Sequence, residues 1–175
     1  MLSTSNENII SITEKASNIT VDGLTLQGTR ADALNVAGEN CKIVNCTVKN
    51  AADCGINVSG KNNLVENCEV AFIGKDAVVL SGGSAEGFVY GSNTVTNNSL
   101  HDYGEIQKTY IAGVNLSGIG NVVSHNEIYN APHMGVYYTG NENVVEYNYI
   151  HDVVLQSSDA GAIYTGYSYS TYGNV

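Results

Sequence analysis

Aliphatic residues recur along this chain in short, regularly spaced pairs rather than in long stripes. Six segments align on that pattern: residues 21–26, 43–48, 65–70, 95–100, 123–128 and 145–150. The first and last positions of each are aliphatic. The fourth position reads Leu24, Cys46, Cys68, Asn98, Asn126 and Asn148, at spacings of 22, 22, 30, 28 and 22. A second column, Ala33, Gly55, Ala77, Gly113, Gly135 and Gly161, precedes short strands predicted at 34–36, 56–58, 78–80, 114–116, 136–138 and 162–164. Nearly all of these end in a small residue followed by Gly. No segment sustains a 3.6-residue period.

A repeat this short cannot bury its own apolar face, so neighbouring repeats must stack. Short strands at a pitch of about 22 residues, with matching columns, predict an all-β fold: a right-handed single-stranded parallel β-helix of about six to seven rungs. Equivalent residues then lie one strand spacing apart, ~4.8 Å. The aliphatic columns become inward stacks, and Asn98, Asn126 and Asn148 become a hydrogen-bonded amide ladder at a bend. Leucine-rich repeats share the length but need a Leu-x-x-Leu-x-Leu frame that is absent here. The sequence reads as one domain over 1–175, with a partial rung in 1–16 and repeats in 17–175. No capping helix precedes the partial rung at Ile9, Ile10, Ser11 and Ile12, and residues 172–175 stop where a further rung would begin. Uncapped ends expose strand edges, so the expectation is a piece of a longer β-helix, or one that self-associates end to end.

Composition narrows the partners. Seven Lys and Arg against seventeen Asp and Glu give a formal charge of −10. A nucleic-acid partner needs a basic face, and an anionic membrane surface is disfavoured for the same reason. No apolar stretch approaches the ~20 residues of a membrane-spanning helix. The first eight residues show neither the basic nor the apolar region of a signal peptide. Cys46 and Cys68 fall in the inward column, whereas Cys41 and Cys54 fall in unrelated ones; all four are expected to be reduced. With no Cys-x-x-Cys pair, no zinc site is expected, and no Asp-rich loop resembles a calcium frame. Asn-x-Ser/Thr triplets at Asn18 and Asn97 coincide with repeat positions and are read as rung chemistry.

The chain is asymmetric. All four His and all twelve Tyr lie at or after position 90. Insertions separate Leu80 from Val95, Asn98 from Gly113 and Asn148 from Gly161; the last two occupy the same turn, with the unexpanded Asn126 rung between them. Two raised loops flanking a flat rung predict a groove. Around this turn stand His101, Tyr129 and His151 in one column and Asp102, Asn130 and Asp152 in the next. His133 and Asp159 precede the Gly column by two residues, and the insertion between Asn98 and Gly113 adds Tyr103, Glu105, Lys108 and Tyr110. Rings that stack on pyranose faces and acids that grip hydroxyls point to a polysaccharide or oligosaccharide ligand. Candidate catalytic residues are Asp159, His133 and Glu105; candidate substrate-binding residues are His101, Asp102, Tyr103, Tyr129, His151 and Asp152. A plainer reading has Asp102 and Asp152 simply closing turns, with His125, Tyr137, Tyr147 and Tyr149 serving as sheet-surface residues.

The stretch Asn148-Tyr149-Ile150-His151-Asp152, followed by Ser158-Asp159-Ala160-Gly161-Ala162-Ile163-Tyr164-Thr165-Gly166, resembles right-handed β-helix carbohydrate-active proteins of the pectate-lyase-like kind. Within them it is most similar to the glycoside hydrolase family 141 group. The resemblance implies a catalytic carboxylate at Asp159 with its partner on a later rung, and a parent protein secreted or held at a bacterial cell surface; no cofactor is expected for the hydrolase. Three functions stay open: a glycoside hydrolase or an incomplete piece of one, a polysaccharide lyase or uronate epimerase, and a non-catalytic carbohydrate-binding segment. The second would call for Ca2+ or another cation to neutralise the uronate carboxylate; the single Arg, Arg30, lies rungs away from the His-rich turn.

Overall fold

The computed structural model describes residues 5–166 and 171–175, so Met1 to Thr4 of the expected partial rung lie outside the described residues. Among the described residues there are 21 strands and no helix. The strands form a right-handed parallel β-helix of three sheets. The first sheet stacks seven strands, Ile10–Ile12, Leu34–Val36, Ile56–Val58, Val78–Leu80, Ala112–Leu116, Met134–Tyr138 and Ile163–Thr165. The second runs from Thr20–Asp22 to Val144–Glu146, and the third from Thr25–Thr29 to Tyr149–His151, with six strands each. An antiparallel hairpin, Gly83–Ser84 with Val89–Tyr90, projects from the insertion after Leu80.

Alternation explains the core. In the first sheet Leu34, Ile56, Val78, Val114 and Val136 stack in register, and so do Val36, Val58, Leu80 and Leu116; all are almost wholly buried. Val21, Ile43, Val65, Val95 and Val123 do the same in the second sheet, and Val48, Val70, Leu100 and Ile128 in the third.

The chain changes sheet through residues in the left-handed conformation. Between the second and third sheets these are Gly23, Asn45, Asn67, Asn97, His125 and Tyr147; after the third they include Gly28, Asn50, Phe72, Asp102, Asn130 and Asp152. Asn and Asp tolerate this conformation better than most residues.

The expected asparagine ladder is present. Asn148 Oδ1 accepts the Asn126 N–H at 3.0 Å, Asn126 Oδ1 the Asn98 N–H at 3.0 Å, and Asn98 Oδ1 the Cys68 N–H at 2.8 Å. Cys68 Sγ continues it by accepting the Cys46 N–H at 3.4 Å. A second ladder, not anticipated from sequence, lines the bend between the first and second sheets. Asn174, Asn143, Asn121, Asn93 and Asn63 each accept the N–H of the preceding rung, ending at Cys41. The four cysteines are free and buried.

Candidate functional site

Among the described residues, the bend from the third sheet back to the first carries no asparagine ladder. Its inward carboxylates serve instead: Asp32 Oδ1 accepts the Cys54 N–H at 3.0 Å, and Asp76 Oδ1 the Ala112 N–H at 2.7 Å. Burial pushes the Asp76 carboxyl up to about 6, against the opposing pull of the Ala112 N–H. Both large loops emerge at this bend, and backbone hydrogen bonds set their direction. The first leans onto the preceding rung, with Glu105 N–H on Ile73 O at 2.9 Å and Ile106 N–H on Gly74 O at 3.0 Å. The second leans onto the flat rung, with Val154 N–H on His133 O at 2.8 Å and Gln156 N–H on Pro132 O at 3.1 Å.

That docking buries His133 to 5 % exposure although its own rung is short. Two hollows meet at it. One, of about 290 Å³, is lined by Thr109, Tyr110, His133, Gln156, Ser157, Ser158 and Asp159. The other, of about 320 Å³, opens toward the first sheet and adds Asn115, Tyr137 and Tyr164. The Tyr110 and His133 rings lie 6.0 Å apart and the Tyr137 and Tyr164 rings 6.5 Å apart. Two buried polar atoms here, His133 Nδ1 and Ser157 Oγ, have no hydrogen-bond partner. Leaving such groups unmade costs about 1–3 kcal/mol each.

Asp159 and His133 therefore line one groove, between the loops expected to form it. Glu105 does not join them. Because its loop leans away, it lines a separate hollow with Arg30, Phe72 and Ile106. Tyr103 is also corrected: it is fully buried in the core, and its OH donates to Met134 O at 2.7 Å. The left-handed residue Asp102 shifts the alternation, placing Tyr103 in register with the inward Ile73. The first-sheet register corrects the last repeat as well. Val136 pairs with Ile163, so Ala162 rather than Gly161 occupies the position of Gly135.

His101, Tyr129 and His151 stand on the outer face of the third sheet as a ring stack, outside both hollows. Centroids are 4.7 Å apart for His101 and Tyr129 and 5.0 Å for Tyr129 and His151. Each His ring lies between carboxylates: His101 Nδ1 is 2.6 Å from Asp102 and Nε2 3.5 Å from Glu69, while His151 Nδ1 is 2.9 Å from Asp152 and Nε2 3.3 Å from Glu127. The Asp152 hydrogen bond, with Glu127 behind it, raises the His151 pKa. Asp102, Asn130 and Asp152 sit at the left-handed bend, and Asn130 Nδ2 donates to Asp102 Oδ1 at 2.5 Å. Sequence reasoning had set Tyr137 aside and gave Asn115, Tyr164 and Ser157 no role. The first three share one outward column beside the two insertions, a signal that was readable.

Among the described residues, the one group of acidic or thiol ligand atoms close enough to share an ion is Asp32, Asp53 and Cys54. It lies on earlier rungs, and Lys75 already pairs with Asp53 at 2.8 Å.

The model of the right-handed β-helix region matches residues 2–118 and 33–175, and the chain belongs to that family. No curated protein matches it. Among solved structures it is similar to the enzymatically active domain of tailspike protein 2 from bacteriophage CBA120. The TM-score is 0.63 at 10 % identity, over 98 % of this chain and 32 % of that one. It is also similar to XylC in complex with xylose, with a TM-score of 0.51 and 12 % identity over 74 % of this chain and 30 % of that one. The chain thus spans about a third of the length of either neighbour.

Proposed function

We propose that this β-helix acts on polysaccharide, binding a glycan across the His133–Asp159 groove and serving glycosidic hydrolysis there with Asp159 as a catalytic carboxylate. The observation that carries the reading is the composition of that groove. Tyr110, Tyr137 and Tyr164 offer ring faces, Asn115 an amide, and His133 and Ser157 buried polar atoms without protein partners. Rings for sugar faces and fixed polar groups for hydroxyls are what carbohydrate recognition needs. The neighbours agree in kind, one being an enzymatically active tailspike domain and the other holding xylose.

Hydrolysis by a carboxylate pair requires a second acid within ~5–9.5 Å. Asp159 is the one acid lining the groove, so this reading assigns the partner to a following rung of a longer parent. Elimination is the second reading, favoured by the unpartnered His133 Nδ1 as a base. It lacks a cation to neutralise a uronate, since neither hollow is lined by Lys or Arg.

A panel of neutral and uronate polysaccharides, scored for new reducing ends and for unsaturated products, separates these. With the longer parent that supplies the second acid, reducing ends without unsaturation, lost in Asp159→Asn and weakened in Tyr137→Ala, are expected. Unsaturated product lost in His133→Gln would establish elimination. Binding that Tyr137→Ala abolishes, with no product of either kind, would leave a carbohydrate-binding segment.

A further inference from the structure

The loop that carries Tyr110 toward the groove has a second side. There Glu105 and Ile106 close one end of a hollow of about 410 Å³, floored by Ala51, Ala52 and Gly74 and closed at its other end by Arg30. By strand register Arg30 is followed by Ala52, Gly74 and Gly104 on successive rungs. The hollow therefore runs along the helix axis for three strand spacings, roughly 14 Å. Its floor has to be small: a Cβ at Gly74 would overlap the Ala52 carbonyl.

Two features set this hollow apart from a mere gap between loops. Phe72 stands in it at 50 % exposure with φ +56°, in a bend column otherwise filled by Gly28, Asn50, Asp102, Asn130 and Asp152. A bulky residue is strained in that conformation, and strain of this sort concentrates at functional sites. Arg30 is the sole arginine of a chain whose net charge is −10. No hydrogen bond or ion pair reaches its guanidinium among the described residues. An aromatic face, an unpaired guanidinium and the amides of Gln27 and Asn50 thus line one channel, with the Glu105 carboxylate at the end away from Arg30.

We infer that this channel is a second saccharide site, distinct from the His133–Asp159 groove, that takes an acidic sugar with its ring on Phe72 and its carboxylate on Arg30. The saccharide class rests on the proposed function; the charge preference rests on Arg30 alone.

The test uses the whole chain, a β-1,4-linked triglucuronate and its neutral counterpart cellotriose, with amide NMR shifts as the readout. Triglucuronate is expected to move the Gly28, Ala52 and Gly74 amides and to bind about tenfold or more tighter than cellotriose, the contribution of a charge-assisted contact. Arg30→Gln should erase that preference. Phe72→Asn, which places the Asn of neighbouring rungs at the same bend and relieves strain, should weaken both ligands. Equal affinity for the two saccharides overturns the charge preference, and silence at these three amides overturns the site. Shifts at Asn115 and Gly166 report the other groove separately. Movement there alone would sink this proposal and leave the function standing, and movement here alone would do the reverse.

Discussion

The two laddered bends and the third bend face the same task, reversing the chain once per rung, and solve it differently. At the laddered bends each Asn receives the N–H of the rung before it and donates to carbonyls: Asn126 Nδ2, for example, reaches Val95 O at 3.0 Å. Every group there is used within the stack. The third bend works with isolated carboxylates, small residues and inserted loops, and it is where His133 Nδ1 and Ser157 Oγ stay unpartnered. Satisfied networks specify a fold, whereas unmet polar groups beside open space leave something for a ligand to do. The two hollows at His133 and the one between Arg30 and Glu105 all lie at this bend. The stacked His101 and His151, whose ring nitrogens already face carboxylates, do not.

The largest expected effect tests that division directly. Asp159→Asn in the longer parent should lower glycan cleavage by about 10²–10⁴-fold while the urea midpoint stays within experimental error, since Asp159 is exposed. A variant that lost stability in step with activity would break the contrast.

Asn126→Ala should do the opposite. It removes the acceptor of the Asn98 N–H and of Asn98 Nδ2, and should cost about 2–4 kcal/mol in urea unfolding without changing the specificity of the groove.

Asp76→Asn sharpens the comparison from the other side. Its carboxyl titrates near 6 in the fold against an ordinary 3.8. The folded protein therefore holds that proton more tightly, and stability falls as pH rises between those two values. Asn keeps the acceptor for Ala112 N–H and cannot ionise. The variant should gain on the order of 3 kcal/mol at pH 7 and nothing below pH 3.8, where both states are protonated. A loss at pH 7 would show that the buried charge is needed at this bend.

The smallest effect belongs to the ring stack. With its pKa raised above 6.5, His151 contributes stability that is complete below that value and fades as pH climbs through the raised one. Proton NMR should find its midpoint above 6.5, and Asp152→Asn should bring it down while leaving activity unchanged.

Period and register were legible because they repeat. The aliphatic columns, one ladder and the flanking loops all followed from spacing. The second ladder was equally legible, since Cys41, Asn63, Asn93, Asn121 and Asn143 follow the same 22, 30, 28 and 22 intervals, but its members are not bracketed by aliphatics as Asn98 is. Inserted loops obey no period, so nothing in the columns says which way they lean. That is why the expectation groups Glu105 with Asp159, whereas it lies in the hollow that Arg30 closes at the opposite end. Tyr103 failed for a different reason: a single left-handed residue reverses the in–out alternation after it, and the sequence shows a plausible Asp there rather than the reversal.

The buried thiols make the early rungs their own reporter. Burial pushes Cys68 up to about 11 and raises Cys54 as well, so neither carries appreciable thiolate at neutral pH. Alkylation of the intact protein should be slow, and its rate should measure how often these rungs open. All four thiols lie between residues 41 and 68. Timed iodoacetamide labelling read by mass would therefore clock unzipping from one end of the helix, while Val95 to Ile150 stay chemically silent.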